Sequence, residues 1–335
     1  MDELDRAAQA YLGSYLNVDS LSGDSLAAGV QAILTGEGGT LPGILRGAGR
    51  SGLLLLAVAL LCGFAETVRQ ELGPTGLDPA RLAGTAAVTL IAAADVHALL
   101  GLGREALGNM DTFSQLLMPV VTGACAAAGA PTAALVRQSA TLLFLTLLLR
   151  LTDALVVPLL YGSIAASAAW AALGNDGLKR LGKLLKWVAG TVLTTLITVF
   201  VFYLTVSGAI AGNADALAQK TAKTMLSGMI PEVGGILADA AETVVAGAGT
   251  LKGTVGVLGM LCVLGICIGP FLRMGVHYLM YKAVGALTAT VTEGPTASLM
   301  DDLGGAFALM MGAVGGGGAI LYVALITAVQ TVAGG

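Results

Sequence analysis

Residues 225–253 read MLSGMIPEVGGILADAAETVVAGAGTLKG and run straight into residues 254–272, TVGVLGMLCVLGICIGPFL. The second piece is uncharged and reads as a membrane-spanning helix. The first does not. Glu232, Asp239 and Glu242 stand among glycines and alanines, too polar to face lipid and too apolar for a soluble loop. On insertion scales a carboxylate at that depth costs roughly 2.5–3.5 kcal/mol unless it faces protein or water. The segment therefore reads as a helical hairpin, a re-entrant element or an interface helix, packed inside a membrane protein. Pro231, Glu232, Gly234, Gly235, Asp239 and Glu242 are its candidates for a polar interior or an oligomer contact.

A similar layout occurs upstream. With an offset of 112, Pro119 falls on Pro231, Gly123 on Gly235 and Pro158 on Pro270. MPVVTG at residues 118–123 then faces IPEVGG at residues 230–235. About nine of the 48 aligned positions are identical, roughly twice what chance gives in so Ala- and Gly-rich a chain. Two readings stand: an internal repeat, which makes Pro119 and Gly123 counterparts of the later motif, or two unrelated helices that each meet a proline.

The whole composition points to the membrane. Of 335 residues, 56% are hydrophobic and 11% charged, against about 25% charged in soluble domains. Uncharged runs at 112–136, 154–175, 188–214, 253–272 and 303–335 each approach the ~20 residues a bilayer requires. The fold class is all-α: a polytopic transmembrane helical bundle with Pro/Gly-broken or re-entrant helices. A β-barrel would instead show alternating segments of ~10 residues. Cys62, Cys125, Cys262 and Cys267 lie in apolar runs without metal or disulfide spacing and read as small packing residues. No metal site and no cofactor is expected.

The expected division is an amphipathic segment at 1–50, two crossings within 51–111, and two membrane repeats at 112–211 and 212–335. MDELDR at the start is acidic, unlike a signal peptide; either a leader has been removed or the crossing near Ser51 serves as the start signal. Asp95 and His97 sit in the second crossing, at 81–103. Two residues apart on a helix, they point in different directions, so inter-helix hydrogen bonding and proton relay are the readings to separate. Arg150 and Asp153, three residues apart in a long helix at 137–160, read first as an internal ion pair by their spacing and second as the lining of an aqueous path. Arg273 opens a polar and aromatic stripe with His277, Tyr278, Tyr281 and Lys282. Lys179, Arg180, Lys183 and Lys186, followed by Trp187, form the densest cationic cluster, which the positive-inside rule assigns to the cytoplasm. Gly315–Gly318 interrupt the final apolar run and predict either a crowded contact or local unwinding.

Catalytic signatures are missing from the sequence. There is no GxGxxG after a strand, no Walker sequence, no HExxH and no CxxC. Ser227 lies in LSGM, but Met225 stands where a rhomboid-type GxSG needs glycine. The only basic cluster flanks a membrane helix, so nucleic acid is not an expected partner. The residues alone leave open a stand-alone secondary transporter, for which a repeat is the main support, and an architectural scaffold that recruits an ATPase and ring proteins.

IPEVGGILADAAETVVAGAGTLKGTVGVLG at residues 230–259, the upstream SGAIAGNADALAQKTAKTMLSG at 207–228 and FSQLLMPVVTGACAAAGAPTAA at 113–134 resemble the stage III sporulation protein AE family of endospore-forming Firmicutes. The resemblance covers about residues 25–335, and its motifs are structural rather than catalytic. Family members usually begin with a signal-like segment, which the acidic start here does not match. The resemblance implies a non-enzymatic subunit of a multi-protein channel in the mother-cell membrane around the forespore. Its implied partners are the other products of the stage III sporulation A operon and a forespore-membrane channel protein. The lipid bilayer is a further expected partner, and the residues leave a homo-oligomer open.

Overall fold

Apolar runs broken only by isolated charges become long helices here, because in lipid a helix satisfies its own backbone groups. The computed structural model describes residues 41–72, 79–127, 132–206, 254–291 and 295–333. Pro231, Glu232, Gly234, Gly235, Asp239 and Glu242 lie outside the described residues, as does the segment 1–40. The helices are α1 (Leu41–Leu72), α2 (Pro79–Ala127), α3 (Thr132–Leu151), α4 (Val157–Leu173), α5 (Asp176–Val206), α6 (Thr254–Val291) and α7 (Pro295–Ala333). A single π turn, Thr152–Val156, joins α3 to α4, so the described residues contain six helices long and apolar enough to cross a membrane. The protein is an all-α, multi-pass helical bundle.

Helix α7 is the central post. It touches α6 most extensively and also α2, α3, α4 and α5. Its four consecutive glycines resolve the alternative raised by the sequence, since the helix continues unbroken through them and each meets a different neighbour. A Cβ added at Gly315 would lie 3.0 Å from Phe271 of α6, at Gly316 2.9 Å from Ile197 of α5, at Gly317 3.0 Å from Leu149 of α3 and at Gly318 2.5 Å from Cys267 of α6. The cost of glycine in a helix, about 1 kcal/mol each relative to alanine, is offset by the close backbone approach that draws three helices onto one.

The prolines act differently from one another. Pro119 lies inside α2 and Pro270 inside α6, and both helices run through them. The run 112–136 is therefore not a crossing of its own: its first part is the last third of α2, and its end belongs to α3. The irregularity falls instead before Pro158, in the first turn of α4. A proline there cannot donate to the carbonyl four residues back and its ring crowds that carbonyl. The widened turn at Thr152–Val156 accommodates it. The helix that the sequence places at 137–160 accordingly continues through α4 to Leu173. Gly174 ends it with φ of 71°, donating its N–H to the Trp170 carbonyl at 2.8 Å, and Asn175 turns the chain into α5. Lys179 then folds back over the Trp170 ring, 4.1 Å from its centre, which fixes the basic cluster at that end of the bundle.

Candidate functional site

Two polar layers cross the bundle. The first ties six of the seven helices, all but α3, together near the basic end. Asp95 on α2 accepts hydrogen bonds from Ser51 Oγ of α1 at 3.3 Å and from Tyr281 Oη of α6 at 3.0 Å. Beside Tyr281, Lys282 pairs with Asp301 of α7. Next to Asp301, the Asp302 carboxylate accepts from Ser167 Oγ of α4 at 3.0 Å and lies 3.5 Å from the Lys186 ammonium of α5. Lys186 also reaches the Asp302 carbonyl at 3.3 Å. Gly305 makes room for it, since a Cβ there would collide with the lysine's end. Asp95 therefore bridges helices, while His97 is exposed on another side of α2. Arg273 is half-buried, and its carbonyl lies 2.8 Å from Nδ1 of His277.

Tyr281 is fully buried and edge-on to Phe307, with ring centroids 5.2 Å apart. Hydrogen bonds to a charged group contribute about 1.5–3 kcal/mol, so Tyr281→Phe should destabilise the protein by about 2 kcal/mol. Ser51→Ala removes the longer bond and should cost less than half of that. Thermal unfolding of both variants in detergent checks the order; a larger loss for Ser51→Ala would place the weight of this junction elsewhere.

The second layer begins at Arg104, nine residues beyond Asp95 on α2, and ends at Asp111, sixteen beyond it, which is roughly 14 to 24 Å at the helical rise of ~1.5 Å per residue. Here α2 and α3 run antiparallel and exchange two ion pairs of opposite sense. Arg104 on α2 reaches Asp153 in the π turn, with Nε 2.9 Å from Oδ1 and Nη2 3.3 Å from Oδ2. The first of these is a charge contact rather than an aligned hydrogen bond, which leaves Oδ1 without a hydrogen-bond donor among the described residues. Asp111 on α2 accepts from Arg150 Nε of α3 at 3.1 Å and from Gln115 Nε2 at 3.0 Å. Ser114 and Thr146 hydroxyls meet at 3.1 Å beside it. Arg150 and Asp153 are therefore not an internal pair, as their spacing suggests. Each finds its partner on α2, because the neighbouring helix offers opposite charges at the same heights. Arg104 and Asp111 went unnoticed in the sequence because the stretch 104–111 looks like a connector between two apolar runs.

The unusual property of this layer is where it faces. Arg104 and Arg150 are 65% and 63% exposed, whereas Asp153 and Asp111 are 32% and 17% exposed. Exposed leucines flank the charges on the same surface: Leu143 and Leu147 before Arg150, Leu155 after it, and Leu90 further down α2. The exposed face of α2 reads Arg104, Gly108, Thr112, Gln115, Pro119 and Gly123, steps of three and four that keep one side of a helix. Pro119 and Gly123 thus share a face with the charges rather than the bundle's interior.

Against known families, the profile of stage III sporulation protein AE matches residues 53–333. The chain belongs to the stage III sporulation protein AE family. It is 26% identical over 212 residues to "Stage III sporulation protein AE" of Bacillus subtilis (strain 168), a match that covers 63% of this chain and 53% of that relative. The chain thus matches about half the length of this curated member of the family. No solved structure matches it. Family membership and the six apolar helices together make this a multi-pass sporulation membrane protein.

Proposed function

We propose that this chain is a non-enzymatic membrane subunit of a transport apparatus between mother cell and forespore. It would sit in the mother-cell membrane with the basic cluster around Lys179 facing the cytoplasm. Its partners would be the other products of the stage III sporulation A operon and a channel protein of the forespore membrane. The family assignment supports the setting. The observation that carries the assembly is the second polar layer: four charged side chains, two of them mostly exposed, flanked by the exposed Leu143, Leu147 and Leu155. Each such charge costs about 2.5–3.5 kcal/mol against hydrocarbon. A bundle working alone in lipid gains nothing from that arrangement, whereas a subunit whose face meets protein or water does. Pro119 and Gly123 lie on that face and join it as contact residues. Pro231, Glu232, Gly234, Gly235, Asp239 and Glu242 remain proposed as a second contact of the same assembly.

The test removes the charges in pairs, so that none is left unpartnered. A chain carrying Arg104→Leu, Asp111→Leu, Arg150→Leu and Asp153→Leu should still insert and accumulate, since its face then suits lipid. It should fail to restore heat-resistant spores to a strain lacking the native protein, and it should no longer retrieve the other operon products from solubilised membranes. Normal sporulation with intact retrieval would show that the charged face has no part in the function.

A further inference from the structure

We propose that the charged α2–α3 face is the contact between two copies of this chain, related by a two-fold axis along the membrane normal. Copies inserted by the same signals share one orientation, so a residue on one can meet only residues at its own height on the other. Self-association across a charged face then requires both signs at every height. This face meets that condition. At the lower height Arg104 stands with Asp153 and Glu105, and at the upper height Arg150 stands with Asp111. A rotated copy can therefore place each exposed guanidinium against a carboxylate of its partner without either copy sliding along the membrane normal.

The shape of α2 agrees. Gly108 and Gly123 lie on the exposed face, and a Cβ built on either has nothing within 4 Å, so two α2 helices can approach closely there. The π turn contributes in another way, because it holds Asp153 toward Arg104 of α2 and away from Arg150. Among the described residues the Arg150 guanidinium, 63% exposed, is tied to Asp111 by a single nitrogen, which leaves donors of its fork for a partner. The exposed leucines at 143, 147 and 155 surround the charges and form the apolar surround that excludes lipid and water from the contact.

The inference depends on the unsuitability of this face for lipid and not on the transport role, and the readout is independent of spore formation. A photo-activatable cross-linking residue is placed at Glu105 or at Gln115 in the full chain, expressed in bacterial membranes and irradiated there. Controls carry it at Leu279 of α6 and at Phe202 of α5, which are exposed on other helices of the bundle. The expected result is an adduct at twice the monomer mass from positions 105 and 115 and none from the two controls. Mixed expression of two differently tagged chains should place both tags in that adduct. Adducts only with other polypeptides or with lipid, or equal adducts from all four positions, overturn the proposal. So does a chain that stays in the alkali-washed membrane fraction, and is therefore inserted, yet gives no adduct from positions 105 and 115.

Discussion

Gly317→Leu should leave little or no folded protein in the membrane, whereas Gly317→Ala should be nearly neutral. The position is buried on the central helix, with Leu149, Met110 and Leu107 of two other helices facing it. A Cβ would lie 3.0 Å from Leu149 Cδ2 and 3.3 Å from Met110 Sδ, both flexible ends that can yield by a few tenths of an ångström. The strain this creates is opposed by the roughly 1 kcal/mol that alanine gains over glycine within a helix, so the two nearly cancel. Leucine adds three further carbons where α2 and α3 already touch α7. Overpacking of that order costs about 1–3 kcal/mol in soluble cores, and here relief requires moving entire helices. Gly47→Leu on α1 is the control, since the position is exposed and nothing lies within 4 Å of a Cβ there; it should accumulate normally. Membrane yield and the melting temperature of purified protein decide the matter, and a well-folded Gly317→Leu chain would mean that α7 is not tightly surrounded.

That contrast between two glycines shows how unevenly the sequence reveals the fold. Apolar runs of the right length announce crossing helices, because the bilayer's demand is written in composition. Gly315–Gly318 could be read as a crowded contact or an unwinding, and only the facing side chains of α3, α5 and α6 decide for the contact. Pro119 and Pro270 look like breaks but lie within continuous helices, since neighbouring turns can absorb a proline's missing donor. The real irregularity among the described helices, the π turn before Pro158, has no sequence mark beyond the proline itself. The charged candidates divide in the same way. Asp95 was visible as an intramembrane carboxylate, but its partners Ser51 and Tyr281 come from 44 residues upstream and 186 downstream. Arg150 and Asp153 suggested each other by spacing, and both turn instead to α2. Local spacing sees only one helix, and pairing between helices is a property of their packing.

Reversing the upper ion pair should have the largest effect of any charge substitution in the bundle. Arg150→Asp sets a second carboxylate beside Asp111, and Asp111→Arg sets a second guanidinium beside Arg150. Two estimates compete. For a water-exposed pair the loss is ~0–1 kcal/mol, because solvent screens both charges. For a buried pair whose partner is removed it is about 3–5 kcal/mol, because the remaining charge is left uncompensated. The geometry selects the second. Asp111 is 17% exposed and one of its oxygens has no donor among the described residues, so Arg150 and Gln115 carry its stabilisation through the other. The surface around Arg150 is leucine, which in a membrane is met by hydrocarbon or protein. Each single reversal should therefore destabilise the protein by about 3 kcal/mol in detergent thermal unfolding. The double variant Asp111→Arg with Arg150→Asp should cost only about 1 kcal/mol, against about 6 for two independent reversals, which is a coupling of about 5 kcal/mol in a double-mutant cycle. Arg104 and Asp153, left in place, keep the lower pair as an internal reference. Single reversals that each cost under about 1 kcal/mol, with no recovery in the double, would mean that water rather than a paired charge satisfies Asp111.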